Sequence, residues 1–372
     1  MFVSQLGIRL MLLVGVNVPR PASYETMAAI KQVQVNTSDE TGDGFQISLS
    51  LGKDKLQDYT LLKSGDLDIF NRIIIAVTMG VMPEVLIDGV ITNHQLNPSN
   101  DPGMSTLTVT GTDISTMMDL EESNIPYGNQ SSSVIVGQIL ARYATYGIIP
   151  ALTQTSDIQT SLERVPWQRE TDLQCLQRLA SDNGFVFYVE PVTVGANTAY
   201  WGPKTRTGTL QPALTIGMGG ATNIKNLSFS EEGLSAASVK ASFIEPFSRT
   251  MIELPAVPPV RLPPLAGRAT PSKKVTLLRD TANKGAAATL LAMLSAMTNQ
   301  PDTVDGNGEV DSMRYGHVLR ARRLVGVRGA GISYDGIYYV KSVSHRLSRG
   351  EYTQSFSLSR EGTGALTPMV MI

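Results

Sequence analysis

Residues 165–191 read VPWQRETDLQCLQRLASDNGFVFYVEP. Thr171 followed three residues later by Gln174 fits a capping box, which predicts a helix starting there. Leu173, Leu176 and Leu179, with Cys175 and Ala180 beside them, make one apolar stripe on that helix. Gly184 stands where the helix should close, because a left-handed residue costs glycine nothing. Phe185, Phe187 and Val189 then alternate with Val186, Tyr188 and Glu190, the pattern of a mostly covered strand that Pro191 should stop. Helix, turn and strand form one packing unit, expected between two β-rich regions that resemble each other.

Upstream, residues 10–16 are apolar but lack the flanks of a signal peptide, so they read as a buried strand. Residues 30–35 and 45–51 alternate around a turn-like 38–44, a hairpin with a polar outer face. Residues 73–78 form a denser apolar strand, Asp88-Gly89 is a tight-turn signal, and 105–111 is a Thr-rich strand. Next to the opening stretch, the serines at 131–133 precede a helical period that Gly147 should close. Downstream, alternation returns over 213–243 with a turn at Glu231-Glu232-Gly233. Seven prolines between 245 and 272 have no N–H to donate to a ladder, which predicts an extended arm or linker. A helix over about 281–297 should follow, ended by Pro301 and the run Asp305-Gly306-Asn307-Gly308, before β structure over 318–358.

With 372 residues and 42% hydrophobic content, the chain is long enough for two or more cores. A net charge of −2 gives no electrostatic argument for nucleic acid or an anionic membrane. The single cysteine, Cys175, rules out an internal disulfide and lies on the apolar helix face, the place of an inert thiol. No apolar run reaches the roughly 18 residues of a membrane helix. With no signal peptide either, a protein made and kept in the cytoplasm, or released by lysis, is expected.

The two β regions share a layout. In the first, an apolar run ends at Gly80, and Asp88-Gly89, His94-Gln95-Leu96 and a strand over 106–110 follow. In the second, a run ends at Gly329, and Asp335-Gly336, His345-Arg346-Leu347 and a strand over 353–357 follow. Four features in one order twice point to a duplication, against the alternative that hairpins simply recur in β proteins.

The run GVITNHQLNPSNDPGMSTLTVTGTDISTMMDLEE (89–122), the Ser-led helix with ILARY (139–143), WQRETDLQCLQRLASDNGFVFYVEP (167–191) and the closing YDGIYYVKSVSHRLSRGEYTQSFSLSRE (334–361) together resemble the baseplate hub proteins of contractile phage tails, the late control D family. The hub part of type VI secretion spike proteins is related to it. The resemblance implies an α+β, mainly β fold with two tandem tube-type β-barrels. These would be 1–115 and 206–250 with 310–360, around an α+β domain at 116–205. A Pro-rich arm and helix at 251–309 would be inserted in the second barrel, and 361–372 would be a tail. It implies a structural hub, not an enzyme: a homotrimer whose six barrels adapt a trimeric spike to a hexameric inner tube. Its partners would be the spike protein, the inner tube protein and other baseplate proteins. Neither a small-molecule substrate nor direct membrane contact is implied, and nucleic acid would be met only in transit. Such a chain would assemble in the cytoplasm into a phage-tail-like particle.

Candidate chemistry is sparse. His94 and His345 take the same place in the two repeats, which suggests packing histidines; neither they nor His317 stand at metal-ligand spacing. Asp302 with Asp305, and Glu121 with Glu122, read as polar turns or solvated faces, and Gly217-Met218-Gly219-Gly220 lacks the context of a phosphate loop. No cofactor is expected. Trp167 and Trp201 are expected in the core. Arg320, Arg322, Arg323 and Arg328 form the basic cluster, with Arg320 and Arg322 on one strand face. They would meet an acidic partner or a polyanion in a channel, or else form a solvated edge that resists aggregation. The tail, with Leu366, Met369, Val370, Met371 and Ile372, is a further interface candidate because exposed apolar ends need cover. The competing readings are a tail-tip cell-wall hydrolase and a carbohydrate-binding tail protein.

Overall fold

The computed structural model describes residues 7–16, 18–52, 59–80, 82–101, 103–156, 167–244, 250–259, 261–279 and 286–366. The chain opens with β1 (Arg9–Gly15), β2 (Ile30–Ser38), β3 (Gly44–Leu51), β4 (Arg72–Thr78), β5 (Pro83–Asn97) and β6 (Ser105–Asp113). They pair antiparallel in the order β2-β3-β6-β5-β4-β1. One face of these strands, with Val33, Val35, Ile47, Leu49, Ile73, Ile75 and Val109, closes a core, as period-two alternation requires.

A helical unit follows, with α1 (Ser132–Ala141), α2 (Asp172–Asp182), β7 (Phe185–Thr193) and β8 (Ala196–Pro203). Thr171 Oγ1 accepts the Gln174 amide at 3.3 Å, as the cap predicts, and Gly184 adopts φ +70°. Cys175, Leu176 and Leu179 are buried with Trp201, whose Nε1 donates to the Leu176 carbonyl at 3.2 Å. Trp167 differs from expectation: it is nearly half exposed, with the Arg169 guanidinium 5.3 Å from its ring centroid. Pro191 does not stop β7. The strand lies at the edge of its sheet and shifts register between Pro191 and Thr193, where a missing N–H is tolerated.

The second half contains β9 (Gln211–Thr215), β10 (Ile224–Glu231), β11 (Ala237–Ile244), β12 (Met251–Val257), β13 (Lys274–Leu277), α3 (Ala286–Thr298), β14 (Val304–Asp311), β15 (Leu324–Arg328), β16 (Gly336–Ser348) and β17 (Glu351–Arg360). Six of these repeat the first set, in the order β10-β14-β17-β16-β15-β9. One difference is that β9 runs parallel to β15, whereas β1 is antiparallel to β4. The two sets join through β16 and β2, and with the short strand Arg20–Pro21 beside β1 they make one thirteen-stranded sheet. Among the described residues the sheet follows an open path, so the strands do not close the tube-type barrels expected from sequence.

Between β10 and β14 lies an insertion whose three strands order as β12-β11-β13, with Met293 and Met297 of α3 packed on Val239 and Ala241 of β11. The break therefore falls before β11 and ends before β14, rather than spanning 251–309. The Pro-rich segment is not a free arm. Pro255 sits in an edge strand, where the β11 pairing shifts between Val239 and Ala241, and Ala266–Ala269 pairs with Gly362–Ala365. Asp302 is buried rather than in a solvated turn. Arg206 Nη2 reaches it at 2.6 Å, Arg261 Nε at 3.2 Å and Ser359 Oγ at 2.7 Å, which ties the insertion to the sheet.

Two turn signals prove to be strand interior. Asp88-Gly89 lies within β5, because Asp88 is the buried partner of Arg72 and a Cβ on Gly89 would stand 2.2 Å from the Thr112 carbonyl oxygen. Asp305-Gly306-Asn307-Gly308 lies within β14, where Gly306 faces the Phe229 ring and Gly308 the Phe356 ring. In both places glycine serves close approach rather than a turn.

Candidate assembly interface

The joint between the repeats is an antiparallel pair running from Ser342 opposite Ser38 to Ser348 opposite Gln32. Apolar side chains on one face of it, Val343 and Leu347 of β16 with Val33 and Val35 of β2, are buried. His345 is buried with them, its Nδ1 2.9 Å from the Tyr352 hydroxyl, and burial pushes its pKa down to about 3. On the other face Gln34 Nε2 donates to Ser344 Oγ at 3.4 Å.

Arg320, Arg322 and Arg323 all lie beside this joint. They precede β15 instead of sharing a strand face, and Arg322 takes a left-handed φ of +61°. Arg320 Nη1 donates to the Val85 carbonyl at 2.6 Å and Nη2 to Glu84 at 3.2 Å, both in β5. Arg322 donates to Asp43 at 2.7 and 2.9 Å and to the Ser38 carbonyl at 2.5 Å, with its guanidinium 4.4 Å from the Tyr188 ring centroid. Arg323 donates to Glu190 of β7 at 2.7 Å and stays half exposed. Three adjacent cations thus fasten the second repeat to three separate places in the chain. Leu366 is half exposed, while Met369, Val370, Met371 and Ile372 lie outside the described residues.

Strand by strand, the repeats match at irregularities that sequence reading missed. The β2–β3 pairing skips Lys31, and the β10–β14 pairing skips Lys225, inside the similar runs IKQVQVNT (30–37) and IKNLSFSE (224–231). The β5–β6 pairing skips Thr92, and the β16–β17 pairing skips Lys341. Phe70 and Arg322 are both left-handed, and both donate their amide at 2.8 Å to the carbonyl just before that bulge, of Ile91 and Val340 respectively. This register sets His94 against Val343 and Leu96 against His345, so the two histidines are not equivalent. His94 instead bonds the Leu67 carbonyl.

The match also identifies what the first repeat lacks. On β16, residues 342–348 are covered by β2, but on β5 the equivalent 93–97 have no partner on that side among the described residues. Leu96 is consequently 37% exposed. At one end of the sheet β10 pairs, among the described residues, only with β14, and Leu227 and Phe229 are partly covered.

Cys175 is buried and its thiol is pushed up to about 12, chiefly by burial. Among the described residues no group of three or more His, Cys, Asp or Glu is arranged to hold a metal, and no helix is long and apolar enough to cross a membrane.

No family model and no curated protein matches the chain. Solved structures do. A tail protein from Neisseria meningitidis MC58 superposes with a TM-score of 0.64 at 12% identity, over 95% of this chain and 97% of that one. The 43 kDa tail protein of prophage MuSo2 from Shewanella oneidensis gives 0.63 at 14%, over 95% and 98%. The E. coli c3393 protein, a type VI secretion component described as similar in structure to the T4 bacteriophage tail proteins gp27 and gp5, gives 0.51 at 13%, over 92% and 77%. The chain therefore has a fold shared by phage tail and type VI secretion proteins.

Proposed function

We propose that this chain is a structural component of a phage-tail-like particle: the baseplate hub of a contractile tail or injection system. It forms a homotrimer that adapts a trimeric spike to a hexameric inner tube. The observation that carries this reading is the doubled six-strand unit. A protomer presenting nearly the same unit twice gives three copies six similar positions, which suits a sixfold neighbour on one face and a threefold one on the other. The fold shared with tail and secretion proteins supports it.

On this reading the partners are the spike protein, the inner tube protein and other baseplate proteins, and assembly takes place in the cytoplasm. Residues 1–115, 116–205 and the second repeat act as separate domains. The exposed Arg323 and Leu366 remain candidate contacts for them, as does the rest of the apolar tail.

Light scattering on the purified protein tests the reading. Three chains of 40.1 kDa predict about 120 kDa for the protein alone, and a larger complex once the spike protein is bound. A stable monomer under both conditions overturns it.

A further inference from the structure

The joint inside the chain is a template for the joint between chains. We propose that residues 93–97 of β5 in one copy pair antiparallel with residues 228–232 of the next copy, in the register that β16 and β2 already use. The inference rests on the trimer reading above and specifies its contact surface.

Two free edges carry it. The outer edge of β10 is equivalent to the edge of β2 that docks on β16, and both strands carry the same skipped lysine. The free part of β5 is equivalent to the part of β16 that receives β2, and both follow the same skipped residue. Carrying the internal register over sets His94 opposite Glu231, Gln95 opposite Ser230, Leu96 opposite Phe229 and Asn97 opposite Ser228. Leu96 and Phe229 then take the places of His345 and Val35, buried neighbours in the internal joint. Gln95 and Ser228 take those of Ser344 and Gln34, with the amide now on the other strand. An unpaired edge seeks a strand, and a head-to-tail contact whose rotation closes makes a ring, here of three copies on the trimer reading.

Phe70 is the second element of the joint. It occupies the position and left-handed backbone of Arg322, the residue that grips the β2–β3 turn. A bulky residue at φ +68° is strained, and Phe70 is 57% exposed. The segment it would meet in the next copy, equivalent to that turn, begins at Glu232 and carries Leu234, 66% exposed. Where the internal joint is ionic, the joint between copies is apolar.

Cysteine pairs test the register, since Cys175 is buried. Oxidising the Gln95→Cys/Ser230→Cys protein should give covalent dimers and trimers on a denaturing gel. Gln95→Cys/Asn226→Cys, with its partner about 13 Å further along the strand, should not. A trimer by light scattering whose in-register pair stays uncrosslinked overturns this joint and leaves the trimer reading standing; a monomer at every concentration overturns both. Phe70→Gly relieves the backbone strain, so the protomer should melt no lower than the parent, while the concentration for half-assembly rises at least tenfold. Unchanged assembly removes Phe70 from the joint.

Discussion

The Asp88 carboxylate accepts Arg72 Nε at 2.8 Å and Nη2 at 2.6 Å, and Asn197 Nδ2 at 2.9 Å, with both ionic side chains almost wholly buried. Because Asn197 belongs to β8, this one carboxylate binds the first repeat to the helical unit. Removing it strands a buried guanidinium, so Asp88→Ala should lower unfolding stability by about 3–5 kcal/mol in urea denaturation; a loss below about 1 kcal/mol would mean that water reaches the pair. His345 makes stability depend on pH. Its folded pKa lies near 3, below the ordinary value of 6.5, so only the unfolded chain takes up a proton between these values. Its contribution is therefore constant above pH 6.5 and falls as the pH drops toward 3, reaching a loss of about 2 kcal/mol at pH 5. Asp113, which burial and the Asp43 carboxylate push up to about 6, acts in the opposite sense. The comparison is therefore between the parent and His345→Gln, whose urea midpoint should fall less between pH 7 and pH 5. Equal shifts in the two would remove the histidine from the account.

Among the elements, those set by local chemistry were legible in sequence and those set by neighbours were not. The cap at Thr171, the apolar stripe on α2 and the left-handed Gly184 depend on residues a few positions apart, and they stand where periodicity puts them. Asp88-Gly89 and the Asp-Gly-Asn-Gly run carry turn chemistry, yet both are strand interior, because the deciding atoms are Thr112, Phe229 and Phe356 on other strands. Gly308→Ala tests this. A Cβ there meets the Asn226 carbonyl oxygen at 2.5 Å and the Phe356 ring at 2.7 Å, so the substitution should cost about 1–3 kcal/mol. In an exposed loop it would cost almost nothing. The duplication was legible in its order of elements and misread in detail. Asp-Gly and His-x-Leu lie to either side of the true register, which is carried by the skipped residues and by the paired left-handed positions Phe70 and Arg322. The arginine cluster was visible as charge, but its internal partners, Asp43, Glu84 and Glu190, lie 133 or more residues away along the chain.

For the whole molecule, one open sheet carries two copies of one unit, fused through an internal joint and leaving, among the described residues, two strand edges of complementary origin unpaired. Repeating that joint between copies would make the strand pairing around a ring alike, with different side chains in it, Phe70 in place of Arg322 among them. The insertion between β10 and β14 appears once per chain, so on the proposed ring it would mark every second of six positions. End-on electron micrographs of the purified assembly should give class averages with six similar densities around a central opening, alternately with and without the inserted lobe. A ring with any other number of units, or particles with no ring, would contradict the proposed ring.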